Sequence, residues 1–309
     1  MTDELPLLGF GLPVAGNWAT PDTMRHVARR AEELGYASLW TFQRVLVPDD
    51  ADLDPAHHSV LDSVVALAHV AGCTERIGLG TATLCAPFTA PALMAKTTAS
   101  LDVVCGGRLT VGLGSGWMPQ EYAAAGVPFA RRGARMEEYL RCLQALWTDD
   151  PIAFDGEFYT VPRSRLRPSC VQRPHPPVLL GGTAAPALRR AGRLAQGWIG
   201  SSRHDLGQIA TNVETVRDGA REAGRDPDAV RILLRGLVDL VDLDPGERRA
   251  LHGTREQIVA DLGALRAQGV TEVFLDLNLS PRVGYPDVDH DDAVDHAERV
   301  LEAFAPASG

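Results

Sequence analysis

The sequence predicts an α/β protein built as one closed (β/α)8 TIM barrel, and three observations support that prediction. Short apolar runs alternate with longer stretches of helical period, and a glycine often stands where a helix should end. Eight strands can be placed in this way along 309 residues, a length above the roughly 250 residues typical of such barrels. No linker rich in Gly or Ser divides the chain, so we expect a single domain over residues 1–309.

The first repeat shows the pattern most clearly. The predicted first strand, Leu7–Leu12, leads to Thr20 and Pro21, which suit the N-cap and the first position of a helix. Apolar side chains then recur at helical spacing as far as Gly35, the expected terminator, and Ala37–Thr41 follows at once as the second strand. Strand, helix and strand in this order indicate a βα unit.

The rest of the chain repeats this alternation. The further strands are predicted at Ile77–Thr83, Leu109–Gly114, Pro177–Gly181, Trp198–Gly200, Val230–Val241 and Glu272–Leu277. The further helices are predicted at His58–Ala71, Pro91–Val104, Met136–Trp147, Ala184–Ala195 (ended by Gly197), Ile209–Ala223, Glu256–Ala267 (ended by Gly269) and along a closing segment with Ala293, Ala297, Val300, Leu301 and Phe304. Eight strands alternating with helices favour a closed barrel over an open doubly wound sheet.

Two segments interrupt the rhythm, one after the fourth strand and one after the helix that follows it. They are Trp117–Arg132 and Asp149–Pro176, and the second contains a predicted hairpin at Ile152–Val161 around Asp155-Gly156. Loops that follow strands form the active-site face of a barrel, so we expect a lid or a substrate-pocket wall here. A tolerated surface insertion is the alternative.

The composition indicates that the protein binds small molecules. A net charge of -10, with no dense basic run, argues against binding to nucleic acid or to an acidic membrane surface. The five cysteines are widely spaced and form no C-x-x-C pair, which indicates neither a disulfide framework nor a zinc site. No run approaches the ~20 apolar residues of a membrane span, and Met1-Thr2-Asp3-Glu4 lacks a basic leader, so we expect a cytoplasmic protein.

A glycine-rich segment, Gly112–Trp117, closes the fourth strand. Its alternating glycines would let a ligand approach the backbone closely, although tight packing at the strand end explains them equally well. The spacing is not G-x-G-x-x-G. It also fails the serine-hydrolase elbow centred on Ser115, because Leu113 and Trp117 stand where that motif needs glycine.

The tripeptide Gly181-Gly182-Thr183 follows the fifth strand and precedes a predicted helix. Exposed backbone N–H groups, the helix dipole and the Thr183 hydroxyl suit a phosphate group. The alternative, that Thr183 is simply the N-cap of this helix, does not exclude phosphate binding.

Further polar candidates follow the second strand. Gln43 suits a hydrogen bond to a ring edge and Arg44 suits an anionic or enolate-like group, although a surface ion pair or a loop turn is an equal alternative for both. His57 and His58 can act as acid or base, but a histidine pair at the start of a helix is more often a solvated or capping feature. The acidic run Asp287–Asp292 lacks the glycine of a calcium loop and suits the first turn of the last helix, so no metal site is predicted.

Several of these segments together resemble the luciferase-like monooxygenase superfamily. They are Ile77-Gly-Leu-Gly-Thr-Ala-Thr83, then Pro87 and Pro91, Leu101-Asp-Val-Val-Cys-Gly-Gly-Arg108, Val111-Gly-Leu-Gly-Ser-Gly-Trp117 with Glu121, and Gly253-Thr-Arg-Glu-Gln-Ile258 leading into Gly269-Val-Thr-Glu-Val273. Each piece is weak by itself, but the combination is specific and runs from about residue 7 to residue 278.

The resemblance implies a homodimeric barrel that binds FMN or the deazaflavin coenzyme F420 over its strand ends. It implies a non-prolyl cis peptide at Ala82–Thr83, Ser115 and Gly116 near the ribityl chain or phosphate, and Gly181, Gly182 and Thr183 near the phosphate. The expected cofactor-binding residues are Trp40, Ala82, Thr83, Gly114, Ser115, Gly116, Trp117, Gly181, Gly182 and Thr183.

The chain departs from the family pattern after the second strand. Many F420-dependent relatives have W-x-x-D/E-H there, with the histidine beside the reactive ring, whereas this chain has Gln43 and Arg44. A guanidinium stays protonated and cannot shuttle a proton near neutral pH. Acid–base work is therefore expected to fall to His57, His58 or Glu121.

The leading hypothesis is F420-dependent hydride transfer to or from a small organic substrate such as an activated alkene, imine or alcohol. The preference for F420 depends on the similarity of the segment from Trp40 to Pro48 and of the glycine-rich strand end to that branch of the family. An FMN-dependent monooxygenase that uses a flavin peroxide is the first alternative. A non-catalytic cofactor-binding paralogue, marked by Arg44, is the second.

Overall fold

Eight parallel strands close into a ring in the computed structural model, which describes residues 5–203, 205–241 and 249–306. The strands are Leu7–Gly11 (β1), Ser38–Thr41 (β2), Gly78–Thr81 (β3), Leu109–Gly114 (β4), Val178–Gly181 (β5), Gly197–Ser201 (β6), Arg231–Leu237 (β7) and Glu272–Asp276 (β8). Strand β1 pairs with both β2 and β8, and the pairing of Leu79 with Leu109 joins β3 to β4. The ring is thereby complete, and the predicted (β/α)8 barrel is confirmed.

Helices surround the strands in the order that the sequence predicts. They are Pro21–Glu33 (α1), Ser63–Ala71 (α2), Pro91–Val104 (α3), Pro119–Ala124 (α4), Arg132–Thr148 (α5), Ala185–Leu194 (α6), Ile209–Glu222 (α7), Arg255–Ala267 (α8) and His290–Ala303 (α9). Thr20 caps α1 by accepting a hydrogen bond from the Thr23 N–H, as the sequence predicts. Within the described ranges, none of the helices has the length and apolar character needed to cross a membrane.

The barrel interior is packed by alternate residues of the strands. Trp40, Leu179, Ile199, Leu233 and Phe274 belong to one buried cluster. The indole of Trp40 stacks on Phe274 with ring centroids 5.6 Å apart. The intervening strand residues face outward and pack against the helices, since side chains alternate between the two faces of a strand.

Both insertions leave the barrel where the sequence predicts them. The first contains the short helix α4, and the second contains an antiparallel hairpin of Ile152–Asp155 with Thr160–Ser164. The hairpin confirms the prediction made around Asp155-Gly156, with its second strand extending slightly further.

Several predicted element boundaries differ from the structure, and two of them have a clear local reason. The helix predicted from His58 begins at Ser63, because the Asp62 side chain accepts hydrogen bonds from the Val64 and Val65 N–H groups and so provides the N-cap. The strand predicted over Val230–Val241 ends at Leu237, and its last part instead pairs with His252–Gly253.

The terminating role predicted for Gly197, and the N-cap role considered as the alternative for Thr183, are also wrong. Helix α6 ends at Leu194 because Ala195 turns to extended backbone, with ψ 169°, so Gly197 terminates nothing and instead opens β6. At the other end, Ala184 is the N-cap of α6 without a side-chain hydrogen bond, so Thr183 does not cap the helix.

A buried carboxylate holds the end of the second insertion, where the chain re-enters the barrel. Asp102 on α3 is fully buried, and its Oδ2 accepts hydrogen bonds from the Val171 N–H at 2.7 Å and the Gln172 N–H at 3.0 Å. Its Oδ1 accepts from the Gln172 side chain at 2.7 Å. These bonds fix the end of the insertion just before β5.

We expect Asp102→Ala to lower the free energy of unfolding by about 3 kcal/mol, because the buried backbone donors lose a charged acceptor. Urea denaturation followed by circular dichroism measures this loss. Asp155→Ala, the same change at an exposed hairpin position, should stay within about 0.5 kcal/mol of wild type. Equal midpoints for the two variants would show that Asp102 does not hold the insertion.

Candidate functional site

A cavity of about 190 Å³ opens at the carboxyl ends of the strands. Its wall comes from the segments that follow β2, β3 and β4 and from β7, and consists of Phe42, Gln43, Arg44, His57, Ala82, Thr83, Cys85, Phe88, Gly116, Trp117, Glu121 and Arg235. Most of the predicted catalytic residues and several predicted cofactor-binding residues therefore lie together. We call this space the inner cavity.

A buried ion pair joins two sides of the inner cavity. Nη1 of Arg44 lies 2.9 Å from Oε2 of Glu121, and each side chain is only 7% exposed. The other carboxylate oxygen of Glu121 accepts a hydrogen bond from the Val45 N–H at 2.8 Å. The Arg44 guanidinium also lies over the Trp117 ring, 5.1 Å from its centroid. Glu121 thus holds the segment after β2 against α4 and is occupied as an acceptor.

The segment after β3 is ordered by neighbouring side chains. Oε1 of Gln43 accepts a hydrogen bond from the Cys85 N–H at 2.8 Å. Gln43 therefore holds the backbone of the segment after β3 in place. The peptide bond between Ala82 and Thr83 is cis, as the family resemblance implies. A side chain at Gly114 would place its Cβ 2.6 Å from the Thr83 hydroxyl, so only glycine fits there. Burial raises the pKa of the Cys85 thiol to about 12, so this cysteine is no nucleophile.

A second arginine–carboxylate pair borders the cavity, and the sequence reasoning missed it. Arg235 on β7 contacts Asp276 at the end of β8, and the Asp276 side chain is 1% exposed. The Arg235 guanidinium lies 4.4 Å from the centroid of the Phe42 ring. The opposite charges of Arg235 and Asp276, on strands that are neighbours in a barrel, were the signal that could have found this pair.

His57 is the half-buried imidazole of the wall. Its Nδ1 lies 3.3 Å from the Asp54 carbonyl oxygen, and its ring meets Phe42 edge to face at 6.1 Å. Burial, with Arg44 as the next cause, lowers its pKa to about 4. His57 is therefore neutral at physiological pH.

The remaining predicted residues lie outside the wall of the inner cavity. Trp40 is 1% exposed inside the barrel, and His58 is exposed on the outer surface. Gly114 and Ser115 lie at the end of β4, where the Ser115 carbonyl accepts from Tyr122. The segment 181–183 forms the approach to α6, with Gly182 and Thr183 exposed.

Two further cavities are lined by residues near the carboxyl ends of the strands. One of about 650 Å³ is lined by residues at the ends of β6, β7 and β8, among them Ser202, Leu237 and Asp276. The other, of about 340 Å³, lies on the outer side of the segment after β2 and shares Arg44 and His57 with the inner cavity. We call it the outer cavity.

Comparison with known proteins assigns the chain to a family. The luciferase-like monooxygenase family model matches residues 9–242. The chain belongs to this family. The members of the luciferase-like family are flavin- or F420-dependent oxidoreductases and monooxygenases.

Relatives of this luciferase-like protein differ in cofactor. An uncharacterized protein of Mycobacterium tuberculosis is 32% identical, over 90% of this chain and 92% of its own length. The FMNH2-dependent dimethylsulfone monooxygenase of Pseudomonas putida is 32% identical, over 74% of this chain and 61% of its own length. The F420-dependent glucose-6-phosphate dehydrogenase of Gordonia bronchialis is 31% identical, over 82% and 73% respectively.

Solved structures agree on the fold of the luciferase-like protein. The monooxygenase RslO1 of Streptomyces bottropensis has a TM-score of 0.78 at 21% identity, covering 96% of this chain and 98% of its own. An F420-dependent secondary alcohol dehydrogenase has a TM-score of 0.78 at 17% identity, covering 98% and 100%.

We expect the ion pair of Arg44 and Glu121 to affect the free energy of unfolding. Glu121→Gln keeps an oxygen for the Val45 N–H but leaves Arg44 buried without a countercharge, so we expect a loss of about 3 kcal/mol in the free energy of unfolding. Glu157→Gln breaks the exposed pair with Arg131 and should cost less than about 1 kcal/mol. Urea denaturation compares the two variants.

A double-mutant cycle tests whether Arg44 and Glu121 interact. The double variant Arg44→Met with Glu121→Gln should lose at least about 1 kcal/mol less than the sum of the two single variants, because neither charge is then buried alone. Additive losses would mean that the two side chains do not interact.

Proposed function

We propose that this protein catalyses F420-dependent hydride transfer to or from a small organic substrate. The observation that carries the proposal is the composition of the inner cavity. Its wall provides paired arginines, a neutral imidazole and aromatic rings, which bind ligands and move one proton but transfer no electrons. The redox chemistry must then come from a bound cofactor, as it does in the family.

The residues of the wall fit the ring of a flavin or deazaflavin. Within the described residues, Nε of Arg44 is a buried donor without a hydrogen-bond acceptor. Buried donors without acceptors are costly, and ring carbonyl oxygens are acceptors of the required kind. Gln43 and Thr83 add neutral polar atoms, and Trp117 adds an exposed aromatic face.

The start of α6 fits the cofactor phosphate. Thr183 and Gly182 are exposed, Gly182 has a φ of +123°, and no side chain caps the helix. Uncapped N–H groups at a helix start favour an anion.

When bound, the deazaflavin supplies a centre that accepts or gives a hydride. The protein holds the substrate against it: Arg44 and Arg235 provide fixed positive charge, with Glu121 and Asp276 as their countercharges. Phe42 and Phe88 provide apolar walls beside the substrate.

Alignment length supports F420 over FMN. The F420-dependent relative aligns over 82% of this chain and the FMNH2-dependent one over 74%. The near-equal identities, 31% and 32%, keep an FMN-dependent monooxygenase as the second candidate. A cofactor-binding paralogue without turnover is the third.

Parallel titrations test the proposal. Purified protein is titrated anaerobically with F420 and with FMN, following cofactor absorbance and quenching of its five tryptophans. We expect micromolar binding of F420 and turnover without oxygen. Binding of FMN alone with oxygen-dependent turnover would support the monooxygenase, and tight F420 binding without turnover on a broad substrate panel would support the paralogue.

Thr183→Glu tests the phosphate position. A carboxylate at the start of α6 should raise the dissociation constant of the phosphorylated cofactor about tenfold, which corresponds to about 1.4 kcal/mol. The uncharged control Thr183→Gln should bind like wild type, and riboflavin, which has no phosphate, should not distinguish the two variants. Equal cofactor affinities for both variants would place the phosphate elsewhere.

We also propose that the protein is a cytoplasmic homodimer whose two subunits contact each other through α2 and α3. The five cysteines are free thiols, which suits a reducing compartment. Helices α2 and α3 lie side by side and expose Val65 (69%), Leu93 (63%) and Val104 (60%). Exposed apolar side chains of this size on two neighbouring helices favour a protein interface.

The double variant Val65→Glu with Leu93→Glu should be monomeric in light scattering coupled to size exclusion, because the charges would be buried in the interface. Leu7→Glu, at a site of equal exposure (63%) on β1, should leave the dimer intact. A wild-type protein that runs as a monomer contradicts the proposed interface.

A further inference from the structure

The cavity of about 650 Å³ at the ends of β6, β7 and β8 is lined by none of the residues assigned to the cofactor. Its volume lies within the roughly 300–1,000 Å³ typical of small-molecule pockets, whereas the inner cavity of about 190 Å³ lies below that range. One ion pair borders both spaces, since Arg235 lines the inner cavity and its partner Asp276 lines the other. We call the 650 Å³ space the larger cavity.

Apolar side chains form much of the wall of the larger cavity. They come from the segments at the ends of β6, β7 and β8, and are Leu206, Leu237, Val238, Leu279 and Pro281. Val238 and Leu279 are buried, and Leu206 and Leu237 are half-buried. Covering such side chains with an apolar group removes both surfaces from water and is favourable. The wall therefore fits a ligand with an apolar body.

Each carboxylate that lines the larger cavity in the described part of the chain has an arginine as its countercharge. The three pairs are Asp276 with Arg235, Asp54 with Arg203, and Asp239 with Arg282. Nε of Arg282 lies 3.3 Å from Oδ1 of Asp239. The carboxylates are thus balanced, and they leave no unpaired negative charge for a cationic ligand.

Arg249 is the cation of this wall that has no carboxylate partner among the described residues. It is exposed, and its carbonyl oxygen accepts a hydrogen bond from the His252 N–H at 3.1 Å. His252 lines the same cavity; burial lowers its pKa, Asp239 raises it, and the charge of Arg249 lowers it further. With three paired carboxylates and one unpaired arginine, the wall has an excess of one positive charge.

Two hydroxyl groups add hydrogen-bond donors to the same wall. Oγ of Ser202 accepts from the Leu237 N–H at 2.9 Å, and Oγ of Ser280 accepts from the Arg282 N–H at 3.2 Å. Each hydroxyl proton can therefore still be donated to a ligand. An unpaired guanidinium and two available hydroxyls favour a ligand with acceptor oxygens, and a carboxylate is the acceptor that an arginine binds most strongly.

We propose that the larger cavity binds organic acids, each with an apolar body and one carboxylate, and that Arg249 holds the carboxylate. The apolar body packs against Leu237 and Leu279, and the Ser202 and Ser280 hydroxyls donate to polar atoms of the ligand. The inference rests on the proposed function in one respect, because it names the substrate class of the F420-dependent reaction. The binding site itself depends only on the wall of the larger cavity.

Isothermal titration calorimetry tests the site with 3-phenylpropanoate as the probe, in protein with and without F420. The neutral 3-phenylpropanamide and the cationic 3-phenylpropylamine have the same apolar body. We expect the acid to bind at least about tenfold more tightly than the amide, and the amine to bind most weakly. The preference for the acid should shrink in about 0.5 M NaCl, because salt screens the exposed charge of Arg249.

Variants of Arg249 identify the group that holds the carboxylate. Arg249→Gln should weaken binding of the acid at least about tenfold and leave binding of the amide within about twofold of wild type. Arg249→Lys keeps the charge and should recover most of the affinity. Arg266→Gln, at an exposed arginine of α8 that lines none of the three cavities, removes the same charge and should equal wild type. Leu237→Trp, which fills part of the cavity, should weaken acid and amide alike.

The outcomes separate this inference from the proposed function. If acid and amide bind equally, if the amine binds best, or if Arg249→Gln behaves like Arg266→Gln, the inference is wrong, and the F420 assignment stands or falls on its own titration. If wild type does not bind F420 but prefers the acid through Arg249, the proposed function and the substrate role fail, and the carboxylate site stands.

Discussion

Closure of the barrel between β3 and β4 is the constraint on which the site depends. A closed ring of parallel strands brings every carboxyl end to one rim. Residues as distant in sequence as Arg44 and Arg235 therefore border one small space. The interior stack of Trp40 on Phe274 supports the ring beneath that rim. Without closure, the inner cavity would have no opposite wall.

The rim is charged but locally balanced. Each of its two arginines has a buried carboxylate as its partner, Glu121 in one case and Asp276 in the other. Such pairs add little net stability, because desolvation offsets attraction, but they fix geometry. Burial is the main cause of the lowered pKa of His57, and the two guanidinium groups also lower this pKa while Asp54 raises it. The same charges thus order the wall and contribute to the protonation state of its imidazole.

The fold could be read from the sequence because strand and helix periods are local signals. The eight strands and the hairpin lie close to their predicted positions. The errors arose where competing local signals decide a boundary: Asp62 provides a better cap than the residues near His58, and Ala195 ends α6 without a glycine. Element boundaries depend on such single contacts more than on periodicity.

The site was only partly predictable. Gln43, Arg44 and Glu121 could be named, because they follow strands or belong to a recognisable segment, but their mutual contacts depend on the three-dimensional path of the chain. Arg235 and Asp276 lie on β7 and β8, and their pairing depends on how these two strands lie side by side in the barrel, which the sequence analysis did not consider. Glu121 has a wider consequence, since it holds the first insertion against the segment after β2. A substitution on that side of the rim would leave a buried charge without its partner, whereas the 650 Å³ cavity, lined in part by Ser202, Leu237 and Leu279, gives room for side chains to change without disturbing that pair.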